Sequence, residues 1–183
     1  RNMGNARQLV TDVYNNIVTL KELYGDIFVK EGDKKREETM GAFTTVDQRK
    51  VLAGTIGVTQ RGHLQDAYRP DWIIFDDVED RESIQSLAQT EATINRIDEA
   101  ISGLSADGSW MCNGNYISEE GVIQWFFNKP SVLVDKIPIM KADGSPTWPE
   151  RYDEAKIKQL QGDAEDFYGE YMADPTRADS SFF

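Results

Sequence analysis

The sequence predicts an α/β fold built on a mostly parallel sheet. Three observations lead there. An unbroken apolar run, Trp72 to Phe75, ends in two adjacent acids, Asp76 and Asp77. Strand-like and helix-like segments alternate from there to the C-terminal region. The helical segments repeat apolar residues on one face only, as helices that cover a sheet do. Four apolar residues are too few for a helix, so Trp72 to Phe75 is expected to be a strand buried on both faces. In open sheets of this kind ligands sit beyond the carboxyl ends of the strands, which is where Asp76 and Asp77 fall. Two carboxylates there suit a Mg²⁺ ion and an attacking water. A plain Asp-Asp turn is the alternative, since acids are common turn residues.

The elements follow in order. From about Ala6 to Tyr24, Val10, Val13, Tyr14, Ile17, Val18, Leu20, Leu23 and Tyr24 recur at helical spacing, and Gly25 is a stop signal. Ile27 to Val29 reads as a short extension. The mixed-charge cluster Lys30 to Glu38 reads as a solvated loop. Gly41 to Val46 and Val51 to Thr59 are rich in β-branched residues, as a hairpin or as two neighbouring strands. Gln60 to Ala67 is a polar loop, and His63 within it reads as a surface residue.

After the acids, Glu82 to Leu104 carries a long helical pattern, closed by a turn at Ala106 to Ser109. Ser109 to Ile117 reads as a second apolar strand whose polar tip is Asn113, Gly114 and Asn115. Ser118, with Glu119 and Glu120 behind it, reads as the cap of a helix through Phe127. Val132 to Met140 reads as a further strand, and Ala142 to Pro146 as a turn. Two short helices, about Asp153 to Gln161 and Ala164 to Met172, complete the pattern before Asp174 and Pro175.

The 183 residues suit one domain with a real core. No apolar stretch approaches the roughly 20 residues of a membrane span, and no signal-peptide pattern opens the chain. A net charge of -12 argues against a surface that coats nucleic acid. It leaves room for DNA contact through one small basic loop. The single cysteine, Cys112, excludes an internal disulfide, and its neighbours Trp110 and Met111 mark it as a core thiol. The chain starts at Arg1 rather than Met and stops abruptly at Phe183, so it is expected to be a piece of something longer.

Five local patterns, in one order, resemble the ATPase domain of the tailed-phage terminase large subunit, the DNA-packaging motor. They are Gly57 to Gly62 (GVTQRG), Arg69 to Glu79 (RPDWIIFDDVE), Cys112 to Tyr116 (CNGNY), Asp143 to Arg151 (DGSPTWPER) and Phe167 to Pro175 (FYGEYMADP). The second resembles the family's Walker B segment and the third stands in the place of its coupling motif. The resemblance spans roughly Ala6 to Phe183.

That resemblance implies a P-loop NTPase-like, RecA-like sheet with helices on both faces. It implies ATP and Mg²⁺ as cofactors, with Asp76 holding the metal through water. Asp77 would orient the attacking water. Many relatives carry Glu at that second position, so Glu79, two residues on and on the same face of an extended chain, is the other candidate. Arg61 would be an arginine finger, the alternative being a structural salt bridge. Arg69 is the runner-up, better suited to fixing the strand's entry. Asn113 and Asn115 would sense the γ-phosphate and relay its loss to the following helix, or else simply form a turn. The family often has Thr where this chain has Asn115. The implied partners are double-stranded DNA, the portal protein, the small terminase subunit and further copies in a ring. The implied setting is the host cytoplasm, docked at the procapsid portal, with no membrane.

The P-loop pattern, Gly-x-x-x-x-Gly-Lys-Ser/Thr, occurs nowhere in the sequence, and neither does the family's nuclease domain. The sheet is therefore expected to be incomplete and the isolated chain weak or inactive in ATP hydrolysis. Two other classes compete. One is a non-catalytic P-loop-like module docking on a capsid or portal protein by its acidic surface. The other is a small metal-dependent nuclease or phosphatase using Asp76, Asp77 and Glu79.

Overall fold

Trp72 to Asp76 forms a strand, β3, and Ser109 to Asn113 forms its parallel neighbour, β4. A parallel pair needs a crossover, and the helix α3, Leu87–Ser102, supplies it. The computed structural model describes residues 3–24, 41–45, 47, 49–56, 69–164 and 166–177. Among these it is a mixed α/β structure with two two-stranded sheets, one of them parallel. The chain divides into two units, residues 1–66 and 67–183.

In the first unit, α1 runs over Met3–Thr19 and a single turn, α2, over Lys21–Tyr24. The helix expected from Ala6 to Tyr24 is thus interrupted at Leu20. β1, Ala42–Thr44, pairs antiparallel with β2, Lys50–Leu52. Among the described residues the two β-branched segments form a hairpin of Ala42–Thr44 and Lys50–Leu52. Thr45 and Asp47 shape its turn: the Thr45 hydroxyl bonds to the Asp47 carboxylate, which also takes the Arg49 Nε–H at 2.7 Å. Phe43 is the buried anchor, with the Tyr14 ring 5.7 Å away between centroids. Gly25, the Ile27 to Val29 extension, the Lys30 to Glu38 loop, His63, Arg61 and the Gly57 to Gly62 pattern lie outside the described residues.

In the second unit, β3 and β4 are in register from Trp72 opposite Ser109 to Asp76 opposite Asn113. The returning chain is latched to the entry of β3. Ser105 N–H donates to the Pro70 carbonyl, Ser109 N–H to that of Asp71, both at 2.9 Å, and Arg69 Nη1 to that of Leu104 at 3.4 Å. Arg69 therefore fixes the strand's entry. α3 starts later than its periodicity suggests. Asp80 and Ser83 bond reciprocally and divert the chain into a short 3₁₀ turn, Ser83–Gln85. Ser86 then caps the helix by accepting from Gln89 N–H.

One face of the parallel pair packs on α4, Val122–Phe127. There Phe126 contacts Trp110 and Phe75, with ring centroids 5.0 and 6.4 Å apart. Val78, Ile97, Leu104, Tyr116, Val122 and Ile123 are buried beside them. The other face is open: Trp72 and Ile74 are each 55% exposed, and Met111 41%. This corrects the expectation of a strand buried on both sides. An apolar run can be covered on one side only when the sheet is small.

Val132 to Met140 also departs from its pattern. It forms no strand, only an isolated bridge at Met140 with Pro146. Leu133 is fully exposed, and Ile137 is mostly so. β-branched residues suit a ladder, but a ladder needs a neighbouring strand, and none stands beside residues 132–138 among the described residues.

The segment then enters a second cluster of Ile139, Ile157 and Phe167, with Tyr152, Leu160 and Tyr171 around it. α5, Glu154–Asp163, and α6, Phe167–Met172, supply this cluster. Asp153 and Asp166 cap them, accepting from Lys156 N–H and Gly169 N–H at 2.7 Å each. Ala173, in the left-handed conformation, ends α6 just before Asp174 and Pro175. Among the described residues no helix is long and apolar enough to cross a membrane.

Candidate functional site

The parallel register brings two polar strand tips side by side. Asp76 is the last residue of β3, and its partner across the ladder is Asn113, the last residue of β4. One step on, Asp77 donates its backbone N–H to the Asn113 carbonyl at 3.0 Å. Asp77 has φ 49°, in the left-handed region that Asp and Asn tolerate better than most residues. The turn there ends the strand and leaves both acids exposed. Asn113 and Asn115 are exposed at the adjacent tip. Four of the residues singled out in the sequence therefore share one sheet edge.

Glu79 does something different. It is only 6% exposed. Its Oε2 accepts a short hydrogen bond from the Val122 N–H, at the start of α4. Its Oε1 has no hydrogen-bond partner among the described residues. Burial pushes the carboxyl above its ordinary range, against the pull of the Val122 and Ile123 N–H groups, and the Asp77 charge adds to the rise. α4 has Gly121 at its N-cap, with no side-chain cap of its own. A Cβ on Gly121 would overlap the Glu79 carboxylate. The expected cap, Ser118, instead accepts from Glu120 N–H one turn earlier, so the helix starts at Val122.

α4 is tied to the other tip as well. The Tyr116 hydroxyl bonds to Gln124 Oε1. A Cβ on Gly114 would stand 3.3 Å from Ile123 Cδ1, so this tip runs close over the helix. On the far side of the loop, Arg81 Nη2 reaches Glu170 Oε1 at 2.8 Å and Asp166 Oδ2 at 3.7 Å. The loop after β3 is thus held to α4 by one side chain and to α6 by another. Neither contact has a periodic sequence signal, because 43 residues separate Glu79 from Val122 and 89 separate Arg81 from Glu170. Gly121 is a faint one: a glycine at a helix start, just behind a better capping residue.

Cys112, half-buried on β4, has its thiol pushed up to about 12, first by burial and then by the Glu79 and Asp76 charges. A thiol held protonated is a poor nucleophile and a poor metal ligand. Among the described residues no group of three or more His, Cys, Asp or Glu side chains is arranged to hold a metal ion. What the edge offers is two exposed carboxylates and two side-chain amides. They can attract a hydrated cation and hydrogen-bond the waters or oxyanions around it.

No protein-family model matches the chain, and neither does any curated protein.

Proposed function

We propose that this chain is the later part of the ATPase domain of a phage terminase large subunit, a motor that packages double-stranded DNA. The observation that carries the reading is the pairing of Asp76 with Asn113. An acid-tipped strand and a polar-tipped strand lie side by side and parallel, as a nucleotide edge in a P-loop NTPase-like sheet requires. The five ordered patterns from Gly57 to Pro175 support it from the sequence.

In this reading Asp76 is the residue that would hold Mg²⁺, through water. Mg²⁺ keeps several of its waters and asks one or two carboxylates of the protein, so an exposed Asp76 suits it without a ligand trio. When bound, the ion would offset the charge of the ATP phosphates. Asp77 orients the attacking water and takes up its proton. The exposure of Asp77 and the burial of Glu79 favour Asp77 in that role. Asn113 and Asn115 hydrogen-bond the terminal phosphate. Arg61 acts as the arginine finger on a neighbouring copy's nucleotide. The phosphate cradle is supplied by a P-loop outside residues 1–183. Double-stranded DNA, the portal protein, the small terminase subunit and a ring of further copies are the partners. The net charge argues against a DNA-coating surface and leaves room for contact through one small basic loop.

The test is Asp76→Ala in the full-length protein. Mg²⁺-dependent ATP turnover should drop by a factor of about 10²–10³, with the circular dichroism spectrum unchanged because Asp76 is exposed. Unaltered turnover removes the reading. It would leave the second one, a non-catalytic docking module, which the open apolar face at Trp72, Ile74 and Met111 favours.

A further inference from the structure

The loop after β3 alternates between water and core. Asp76 and Asp77 are exposed, Val78 and Glu79 are buried, and Asp80 is exposed again. Burying a carboxylate costs free energy unless its charge is met. One oxygen of Glu79 is met on α4, where its Oε2 takes the Val122 N–H. α4 has only six residues. So short a helix does not hold itself in water. Its place is set by the burial of Val122, Ile123 and Phe126 and by its side-chain ties. The Glu79 carboxylate is the tie at its N-terminus, standing in for the capping side chain that Gly121 lacks.

We infer that Glu79 is a positioning residue that links the acid pair to α4. A displacement of the Asp76–Asp77 tip passes through the Glu79 carboxylate to the Val122 N–H and changes the first turn of the helix. The connection has little slack. Val78 alone separates Asp77 from Glu79, and it is 4% exposed. Asp77 itself is tied to the β4 tip by its N–H bond to Asn113. The β4 tip reaches α4 independently through Tyr116 and Gln124. The helix is thus placed to register the relative position of both tips. The role rests on the reading of Asp76 and Asp77 as the working edge.

Amide hydrogen exchange on the 183-residue chain tests the link, with Val122 as the probe and Ile97, wholly buried on α3, as the reference. Glu79→Ala should speed Val122 exchange about tenfold relative to Ile97, the scale of a lost cap. Glu79→Gln keeps an oxygen that can accept the same bond and should restore protection to within about threefold. Asp77→Gly loosens the tip. It should speed Val122 exchange about threefold when Glu79 is present and by clearly less in the Glu79→Ala background, where only the Tyr116–Gln124 tie remains. If Glu79→Ala does not fold, Gly121→Ala displaces the carboxylate while keeping the side chain, and the same tenfold local change is expected.

Unchanged Val122 exchange in Glu79→Ala would overturn the link. So would equal acceleration of Val122 and Ile97 in the Ala and Gln variants, which marks a general loss of stability. So would an Asp77→Gly effect of the same size in both backgrounds. No nucleotide enters this experiment, so its failure is separate from failure of the Asp76→Ala turnover assay.

Discussion

Asp77 donates its backbone N–H to the carbonyl of Asn113, one step beyond the last ladder pair. That bond holds the acid tip against the polar tip at a residue with φ 49°. Asp77→Pro removes the donor and forces φ to about −65°. It should lower the unfolding free energy by about 3 kcal/mol, whereas Asp77→Gly should stay within about 1 kcal/mol of the parent. Urea denaturation of both variants checks the pair. Equal midpoints would mean that the tip is not held by this bond.

Gly121 is needed for space, not for its backbone, since its φ of −84° suits any residue. Gly121→Ala should therefore cost about 1–3 kcal/mol through its collision with Glu79. Combined with Glu79→Ala, the same substitution should cost much less than it does alone, because the carboxylate it strikes is gone. Strict additivity in the four-protein cycle would contradict the contact.

The Glu79 carboxyl is raised in the folded chain above its ordinary value of 4.5, chiefly by burial. The folded state then holds this proton more tightly than the unfolded state does. The resulting stability is fully present below the ordinary value and is lost as pH rises through the raised one. Glu79→Gln has no such proton, so its stability relative to the parent should increase as pH rises from about 4 toward neutrality. Denaturation midpoints of the two proteins, taken side by side across that range, measure the difference. A constant difference would refute the prediction.

The two faces of the β3–β4 pair should answer mutation differently. Phe126→Ala empties the covered face between Phe75 and Trp110 and should cost about 3–5 kcal/mol. Ile74→Thr lies on the open face and should change stability by no more than about 0.5 kcal/mol. Thermal unfolding of the two variants separates them, and a large loss from Ile74→Thr would mean that its face is covered in solution.

Most of the second unit was legible in the sequence, since Trp72 to Phe75, Trp110 to Cys112 and the repeats of Leu87 to Ser102 carry strong local patterns. The gathering of Asp76, Asp77, Asn113 and Asn115 at one edge was legible too, because parallel strands joined by a helix end on the same side. Ser118 is the expected cap from its side chain, and the distant Glu79 is what lets the helix start after Gly121 instead. Contacts of this sequence separation leave no periodic trace. Val132 to Met140 misled for a related reason: strand propensity describes a side chain's fit to a sheet, and the sheet is supplied by other residues. The coverage of Trp72 and Ile74 failed in the same way, for what covers a strand is not encoded in the strand.

Trp72 stands in water on the open face, while Trp110 is pressed against Phe126 on the other. The strand thereby carries its own optical gauge. An indole so placed emits at long wavelength and is quenched readily by iodide or acrylamide. Anything that comes to lie on that face, peptide, protein or lipid, would shift its emission to the blue and shield it from the quencher. Titration against a Trp72→Phe control would isolate that signal, so occupancy of the open side can be followed with no label attached.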